Sequence, residues 1–397
     1  MEYSHKGSRY PGFGSDYERT LAGSISEADY SFDGQESVFT PQMIFYKDII
    51  EENIRKMITA AGGADRLFPH MKTHKTAELL KLASDFGIKK VMAATIAEAE
   101  LAAETGVPEV MLSYNLVGPN VGRYITLCLK YPQIAFYTLA DDIVQLGRLS
   151  EAALAAGLTV NVLVDVNPGL NRTGILPEKI YSFVESVDKL SGVKLCGIHF
   201  YEPNDRDIDP ELFKKNVLKQ DEMIIGYYES VKASHPNLKF LVVGGTPELE
   251  YHAMVAYPDM FYSPGTNFLY DWTYAACFPS MDYQPAALIM SRVVSHPCDG
   301  VFTLDCGTKA LSQDTRDSKG LLVGLTSCTE LMQNEEHWVF KMLPGHEAER
   351  PEIGREVFII PAHICPNMLF YPDVVAVSQG TICGKWKVAA RDRFITV

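Results

Sequence analysis

The feature that most constrains this chain is a change of texture near residue 271. From residue 40 up to that point, short β-rich runs alternate with helix-like segments. Beyond it, β-branched and aromatic runs are separated by Pro, Gly, Asp and Asn, with few helical periods between them. Strand and helix in repeated alternation set parallel strands side by side under a layer of helices, since a parallel return needs a long crossover. Runs without helices return by hairpins and build antiparallel sheet. The first half offers candidate strands at 66–71, 89–94, 109–113, 133–137, 159–165, 194–200 and 239–243. Between them Ile96, Ala99 and Ala103, then Ile143, Leu146 and Leu149, then Phe213, Val217 and Ile224 recur at near-helical spacing. So many repeats favour a (β/α)8 TIM barrel over a doubly wound sheet. No GxGxxG follows any strand, which removes the best support for a dinucleotide site. The fold class expected is α/β, a (β/α)8 barrel with a second, mainly antiparallel β domain.

Composition narrows the partners. At 397 residues the chain exceeds what one hydrophobic core usually supports, and 47% hydrophobic residues suffice for two. A formal charge of −14 argues against nucleic acid or an anionic membrane surface. Residues 1–33 lack the apolar stretch of a secretory signal, and no run is long enough to span a bilayer. The eight cysteines have no CxxC pairs or regular framework. They read as reduced thiols of a cytoplasmic protein.

Within this frame, Lys72 follows the apolar run 66–71 and precedes a helix-like segment, the strand end at which a barrel presents its chemistry. A lysine there can act as a nucleophile toward an aldehyde cofactor, whereas a solvated lysine is the plain alternative. Gly244-Gly245-Thr246 and Pro264-Gly265-Thr266 follow two strands, where glycine backbone can cradle a phosphate or simply turn the chain. His363 and Cys365, with one residue between them, would face the same way in extended backbone and could bind one ion.

Seven segments in order carry a resemblance: Pro69-His70-Met71-Lys72-Thr73-His74-Lys75; Asp165-Val166-Asn167-Pro168-Gly169-Leu170-Asn171-Arg172-Thr173-Gly174; Gly197-Ile198-His199-Phe200-Tyr201; Gly244-Gly245-Thr246-Pro247; Pro264-Gly265-Thr266; Glu335-Glu336-His337; and Pro361-Ala362-His363-Ile364-Cys365-Pro366. Together they resemble the D-threonine aldolase and D-serine dehydratase family, fold-type III relatives of alanine racemase that bind pyridoxal phosphate. The likeness runs from about residue 36 to near the end of the chain.

The resemblance implies a barrel over 36–275 and a D-serine-dehydratase-like β domain over 276–397, joined by part of 1–45. It implies pyridoxal 5'-phosphate on Lys72, its phosphate on Gly245, Thr246, Gly265 and Thr266, Arg172 near its phenolic oxygen, His199 against its ring and Tyr201 beside it. It implies a divalent metal on His363 and Cys365, zinc before manganese because a thiolate is a soft donor. His337 becomes an acid or base, although Trp338 stands where glycine is usual. The expected activity is a metal-assisted lyase acting on a β-hydroxy D-amino acid, in a homodimer. Dehydration of D-serine or 3-hydroxy-D-aspartate comes first, with retro-aldol cleavage, racemisation and non-catalytic cofactor carriage as alternatives. A two-base racemase is disfavoured: no arginine stands at the strand end held by His199, and the C-terminal half has no second catalytic tyrosine motif.

Overall fold

The computed structural model describes residues 12, 14–201, 209–315 and 318–397. It divides into two compact units, one of Arg55–Gly265 with Asp392–Val397, the other of Met1–Ile54 with Thr266–Arg391. In chain order β1 is Gln42–Tyr46, in the second of these units, and seven strands follow in the first: β2 Lys90–Ala93, β3 Glu109–Asn115, β4 Ala135–Ala140, β5 Val160–Val166, β6 Val193–Tyr201, β7 Phe240–Gly244 and β8 Met260–Tyr262.

These seven lie side by side in sequence order, every pairing parallel. The place between β8 and β2 is taken by residues 67–70, where Leu67 bridges Tyr262 and His70 bridges Met92, both in parallel sense. Phe68 N–H donates to the Tyr262 carbonyl at 2.8 Å and Met92 N–H to the Pro69 carbonyl at 2.9 Å. The expected strand over 66–71 is therefore corrected to two bridges flanked by 3-10 turns at Ala64–Arg66 and Met71–Thr73. Pro69 supplies no N–H, and His70 caps the second turn, so a regular ladder cannot run through them.

Inside the ring, Phe68, Met92, Met111, Tyr137, Leu163, Cys196, Phe240 and Val242 form one packed cluster. Phe68 meets the Phe240 ring edge-on at 5.6 Å. Outside it, helices turn their apolar stripes inward, as with Leu146, Leu149 and Ala153 of Ile143–Ala155 and Phe213, Val217 and Ile224 of Pro210–Ser234.

The other unit adds β9 Ala287–Ser295, β10 Val301–Leu304, β11 Gly320–Leu322, β12 Cys328–Gln333, β13 Trp338–Met342, β14 Glu356–Pro361, β15 Asp373–Ser378 and β16 Thr381–Lys387. They form a single sheet with β1, and only the β1–β15 pairing is parallel. Its core gathers Tyr30, Phe32, Ile44, Tyr46, Trp272, Met290 and Phe358. Among the described residues no helix is long and apolar enough to cross a membrane, and no disulfide joins the cysteines.

Candidate active site

At the carboxyl end of the barrel strands, the chain leaves Pro69 and turns sharply. His70 N–H donates to the Pro264 carbonyl at 2.7 Å, and its ring accepts Lys72 N–H at Nδ1. The other ring nitrogen lies 3.2 Å from Ser113 Oγ at the end of β3. This fixes the 3-10 turn that presents Lys72, which is half-buried. Lys75, three residues on, is engaged differently: its ammonium is paired with Glu98, the two side chains 9% and 0% exposed. Glu98 in turn accepts Ala94 N–H, and Thr95 caps its helix. A buried ion pair of this kind holds only while both partners remain. Among the described residues no hydrogen bond or ion pair engages the Lys72 ammonium, so of the two lysines Lys72 is the one available for chemistry.

His70 reports what surrounds it. Its pKa lies well below the ordinary histidine value, first because it is buried and then because Lys72, Lys75, His199 and Arg172 are close enough to oppose its charge. These residues come from three separate strand ends. On β5 and β6, Asp165 and His199 occupy paired register positions, and His199 Nδ1 lies 2.8 Å from Asp165 Oδ1 with both side chains buried. Beyond β5 the chain makes a closed excursion: Asn167 N–H donates to the Ile175 carbonyl and Ile175 N–H to that of Asp165. Gly174 permits this, because at φ +95 a Cβ would sit 2.6 Å from Asn167 N. Its N–H also donates to Asp141 Oδ2 at 2.9 Å. Burial raises the Asp141 pKa, and the nearby Asp165 adds to that. The excursion carries Arg172, whose guanidinium lies 4.8 Å above the Tyr201 ring.

Tyr201 pairs in register with Gly244, and a Cβ on Gly244 would come within 2.9 Å of the tyrosine ring. The two glycine loops meet there: Gly265 N–H donates to Thr246 Oγ1 at 3.3 Å. Gly265 also packs so closely that a Cβ would lie 3.1 Å from both His70 Cβ and Thr73 Oγ1. Gly245 has φ +132, and a Cβ there would fall 1.6 Å from Glu248 Oε2. Lys72, Arg172, His199, Tyr201, Gly245, Thr246 and Gly265 thus lie at the carboxyl ends of neighbouring strands, with Thr266 the next, buried, residue in the chain. Glycine backbone N–H groups in two adjoining loops, beside two cationic side chains and a stackable histidine, fit an anionic aromatic aldehyde such as pyridoxal phosphate.

In the sheet unit the expected extended geometry of 363–365 is corrected. Residues Ile364–Asn367 form a helical turn, and His363 is its N-cap with extended backbone. The turn is anchored by Asp271, whose carboxylate accepts N–H groups of Ile364 and Tyr274. Burial pushes the Asp271 pKa up to about 6. The Cys365 thiol still lies within hydrogen-bonding reach of the His363 ring, whose Nδ1 pairs with Asp314. Burial opposes charge on His363, but Asp314 and Cys365 outweigh it and carry its pKa to about 11. Among the described residues no three His, Cys, Asp or Glu side chains converge as a metal cage. Two donors of borderline and soft character fit a divalent ion with open positions.

His337 lies in the turn joining β12 to β13, with Asn334 N–H donating to its carbonyl at 2.8 Å, and it is exposed. Glu335 and Glu336 both pair with Lys309 in solvent. Trp338, by contrast, is buried against Phe340 with ring centroids 4.7 Å apart, so it serves the sheet core. Sequence reasoning did not single out His70, Ser113, Asp141, Asp165, Asp271 or Asp314 as site residues. Most contribute through contacts with other strands or distant segments, which spacing along the chain does not reveal. For Asp165 and Asp141 a signal existed, a carboxylate at the carboxyl end of a barrel strand.

Two family models match: "Alanine racemase, N-terminal domain" over residues 47–261 and "Putative serine dehydratase domain" over 286–377. The chain is 24% identical to a D-threonine aldolase of Arthrobacter sp over 89% of its own length and 93% of the relative's. The fold superposes on the crystal structure of D-threonine aldolase from Filomicrobium marinum with a TM-score of 0.83 at 24% identity, covering 90% of this chain and 97% of that one. It also matches D-threo-3-hydroxyaspartate dehydratase from Delftia sp. HT23 with a TM-score of 0.78 at 18% identity, covering 89% and 98%. The chain belongs to the D-threonine aldolase and D-serine dehydratase family of alanine-racemase-like, fold-type III pyridoxal-phosphate enzymes. It is a pyridoxal-phosphate-dependent lyase.

Proposed function

We propose that this lyase acts on β-hydroxy D-amino acids with the help of a divalent metal, and that its first reaction is dehydration to a keto acid and ammonia. One observation carries the reading: of the two lysines on the turn after Pro69, Lys75 is locked to buried Glu98 and Lys72 is not. Lys72 would hold the cofactor aldehyde. The backbone of Gly245, Thr246, Gly265 and Thr266 would hold its phosphate, His199 and Tyr201 its ring, and Arg172 its ring oxygen. Bound there, pyridoxal phosphate supplies an electron sink for negative charge at the substrate α-carbon.

Lys72 Nζ is the base that takes the α-proton in dehydration. The buried Asp165 orients the imidazole of His199 and keeps that ring in one plane against its neighbours. His363 and Cys365 would hold the ion, zinc before manganese, and the ion supplies Lewis acidity toward a hydroxyl. A structure of the dehydratase neighbour is described as a cysteine-to-alanine mutant in the metal-free form, which supports a metal in this branch of the fold. His337 serves as a candidate acid or base from the β12–β13 turn. The active species is taken as a homodimer of cytoplasmic chains.

The Arthrobacter relative favours a second reading, cleavage to glycine and an aldehyde. Here the proton taken is that of the β-hydroxyl, and the α–β carbon bond breaks instead. Incubating the zinc-loaded holoenzyme with D-serine, D-threonine and 3-hydroxy-D-aspartate separates the two. Keto acid with ammonia supports dehydration, and glycine with an aldehyde supports retro-aldol cleavage. Exchange of α-deuterium with neither product would indicate racemase chemistry and overturn both.

A further inference from the structure

We propose that Asp314 is the positioning residue of the metal-binding histidine, a role that rests on the reading of His363 and Cys365 as ligands. The Asp314 carboxylate contacts His363 at Nδ1 across 49 residues of sequence. A carboxylate only accepts hydrogen bonds, so Nδ1 must donate, and the ring's remaining donor atom toward an ion is Nε2. The contact therefore selects both the tautomer and the edge of the ring offered to the metal, beside the Cys365 thiol.

Asp314 is itself held in place. Its Oδ1 accepts the Ser312 hydroxyl at 2.9 Å, which leaves Oδ2 for the histidine. The segment bearing Asp314 and the turn bearing the ligands are also tied together by one buried side chain, Asn367. Asn367 Oδ1 accepts Ser312 N–H at 2.9 Å, while its Nδ2 donates to the His363 carbonyl at 2.6 Å. Asp271 fixes the other side of the turn through Ile364 N–H. Backbone and ring of His363 are thus restrained from three directions, with Asp314 meeting the ring at Nδ1. With its side chain 42% exposed, Asp314 contributes little to the core, and its replacement should leave the fold intact.

The test uses the full-length, cofactor-loaded protein and cobalt(II) as the probe ion. Cobalt affinity is read by chelator competition, and Cys365 ligation by the thiolate-to-cobalt charge-transfer band. Asp314→Ala should weaken cobalt about 10–100-fold, as loss of an outer-shell partner does. At saturating metal it should retain the charge-transfer band and the wild-type melting temperature. Asp314→Asn, which keeps an acceptor oxygen, should stay within a few-fold of wild type. Unchanged affinity in Asp314→Ala would overturn the inference. So would an Asp314→Asn variant as weak as the alanine one with an altered cobalt spectrum, because Asp314 would then be a ligand. If His363→Ala and Cys365→Ala take up cobalt like wild type, the metal reading itself is wrong and the inference falls with it.

Discussion

The barrel-end cluster and the cluster around His363 are built on opposite principles. Around Lys72 the supporting groups are buried: Glu98 and Lys75 are 0% and 9% exposed, and His70, Asp165 and His199 are shielded likewise. Their bonds join different strands, so moving any one side chain disturbs the register of a packed ring. Around His363 the side chains are about two-fifths exposed, and a four-residue helical turn carries both proposed ligands. The first arrangement suits a cofactor whose aldehyde, ring and phosphate must all be held at once. The second would suit the proposed ion, whose open positions water and substrate oxygen could share. The lesson is that rigidity is concentrated where one group must be held at several points, and openness where ligands must exchange.

Breaking the open cluster should affect chemistry and spare the fold. Chelation of the ion, or His363→Ala, is expected to lower turnover about a thousandfold, since a Lewis-acidic ion is worth several kcal/mol of barrier. The melting temperature should stay nearly unchanged in the same samples. Turnover that survives exhaustive chelation would remove the sheet unit's cluster from the mechanism. Breaking the buried cluster should do the reverse to stability. Glu98→Gln strands the Lys75 ammonium in the interior and should cost about 3–5 kcal/mol in urea denaturation. The solvent-exposed pairs of Lys309 are the control: Lys309→Ala should leave the urea midpoint in place.

A smaller effect is expected from Gly245→Ala. Its φ of +132 and the clash with Glu248 impose strain of about 1–3 kcal/mol, which should appear as weaker pyridoxal-phosphate binding by fluorescence titration. Binding equal to wild type would show that this loop does not form the phosphate cradle. The last effect, small at neutral pH and growing with acidity, is on acid stability. His74 is buried with its pKa pushed down to about 3, and His70 is likewise depressed, while an unfolded histidine titrates near 6.5. Below about pH 6.5 the unfolded chain binds protons that the folded one does not, so stability falls as pH drops toward about 3. Each such histidine contributes about 1.4 kcal/mol per pH unit in that window. A His74→Asn variant should flatten the urea midpoint's dependence on pH; an identical slope would show that His74 is protonated in the folded state.

The architecture was legible because buried parallel strands and their covering helices leave strong periodic traces. The runs at 89–94, 109–113 and 239–243 correspond to β2, β3 and β7, within a few residues at their ends. What escaped was backbone whose structure depends on partners. Residues 66–71 look like a strand by hydrophobicity, but Pro69 and the His70 cap allow only bridges. β12 and β16 leave a weaker trace in the sequence because their residues are largely exposed. At the site, Lys72, Arg172, His199 and Tyr201 could be named from their segments, and the fold brings them together. Their supporting carboxylates could not. Asp165 meets His199 through strand register, and Asp314 meets His363 through a loop contact that no local pattern encodes.

Everything proposed for the barrel end depends on Lys72 carrying the cofactor. The measurement that tests it most directly mixes the purified protein with pyridoxal phosphate, follows the visible absorption of a lysine-bound cofactor and then assays products from 3-hydroxy-D-aspartate. Wild type should show the band and form product, whereas Lys72→Ala should show neither and remain folded. A Lys72→Ala protein that still develops the band and turns over substrate at the wild-type rate would contradict the claim.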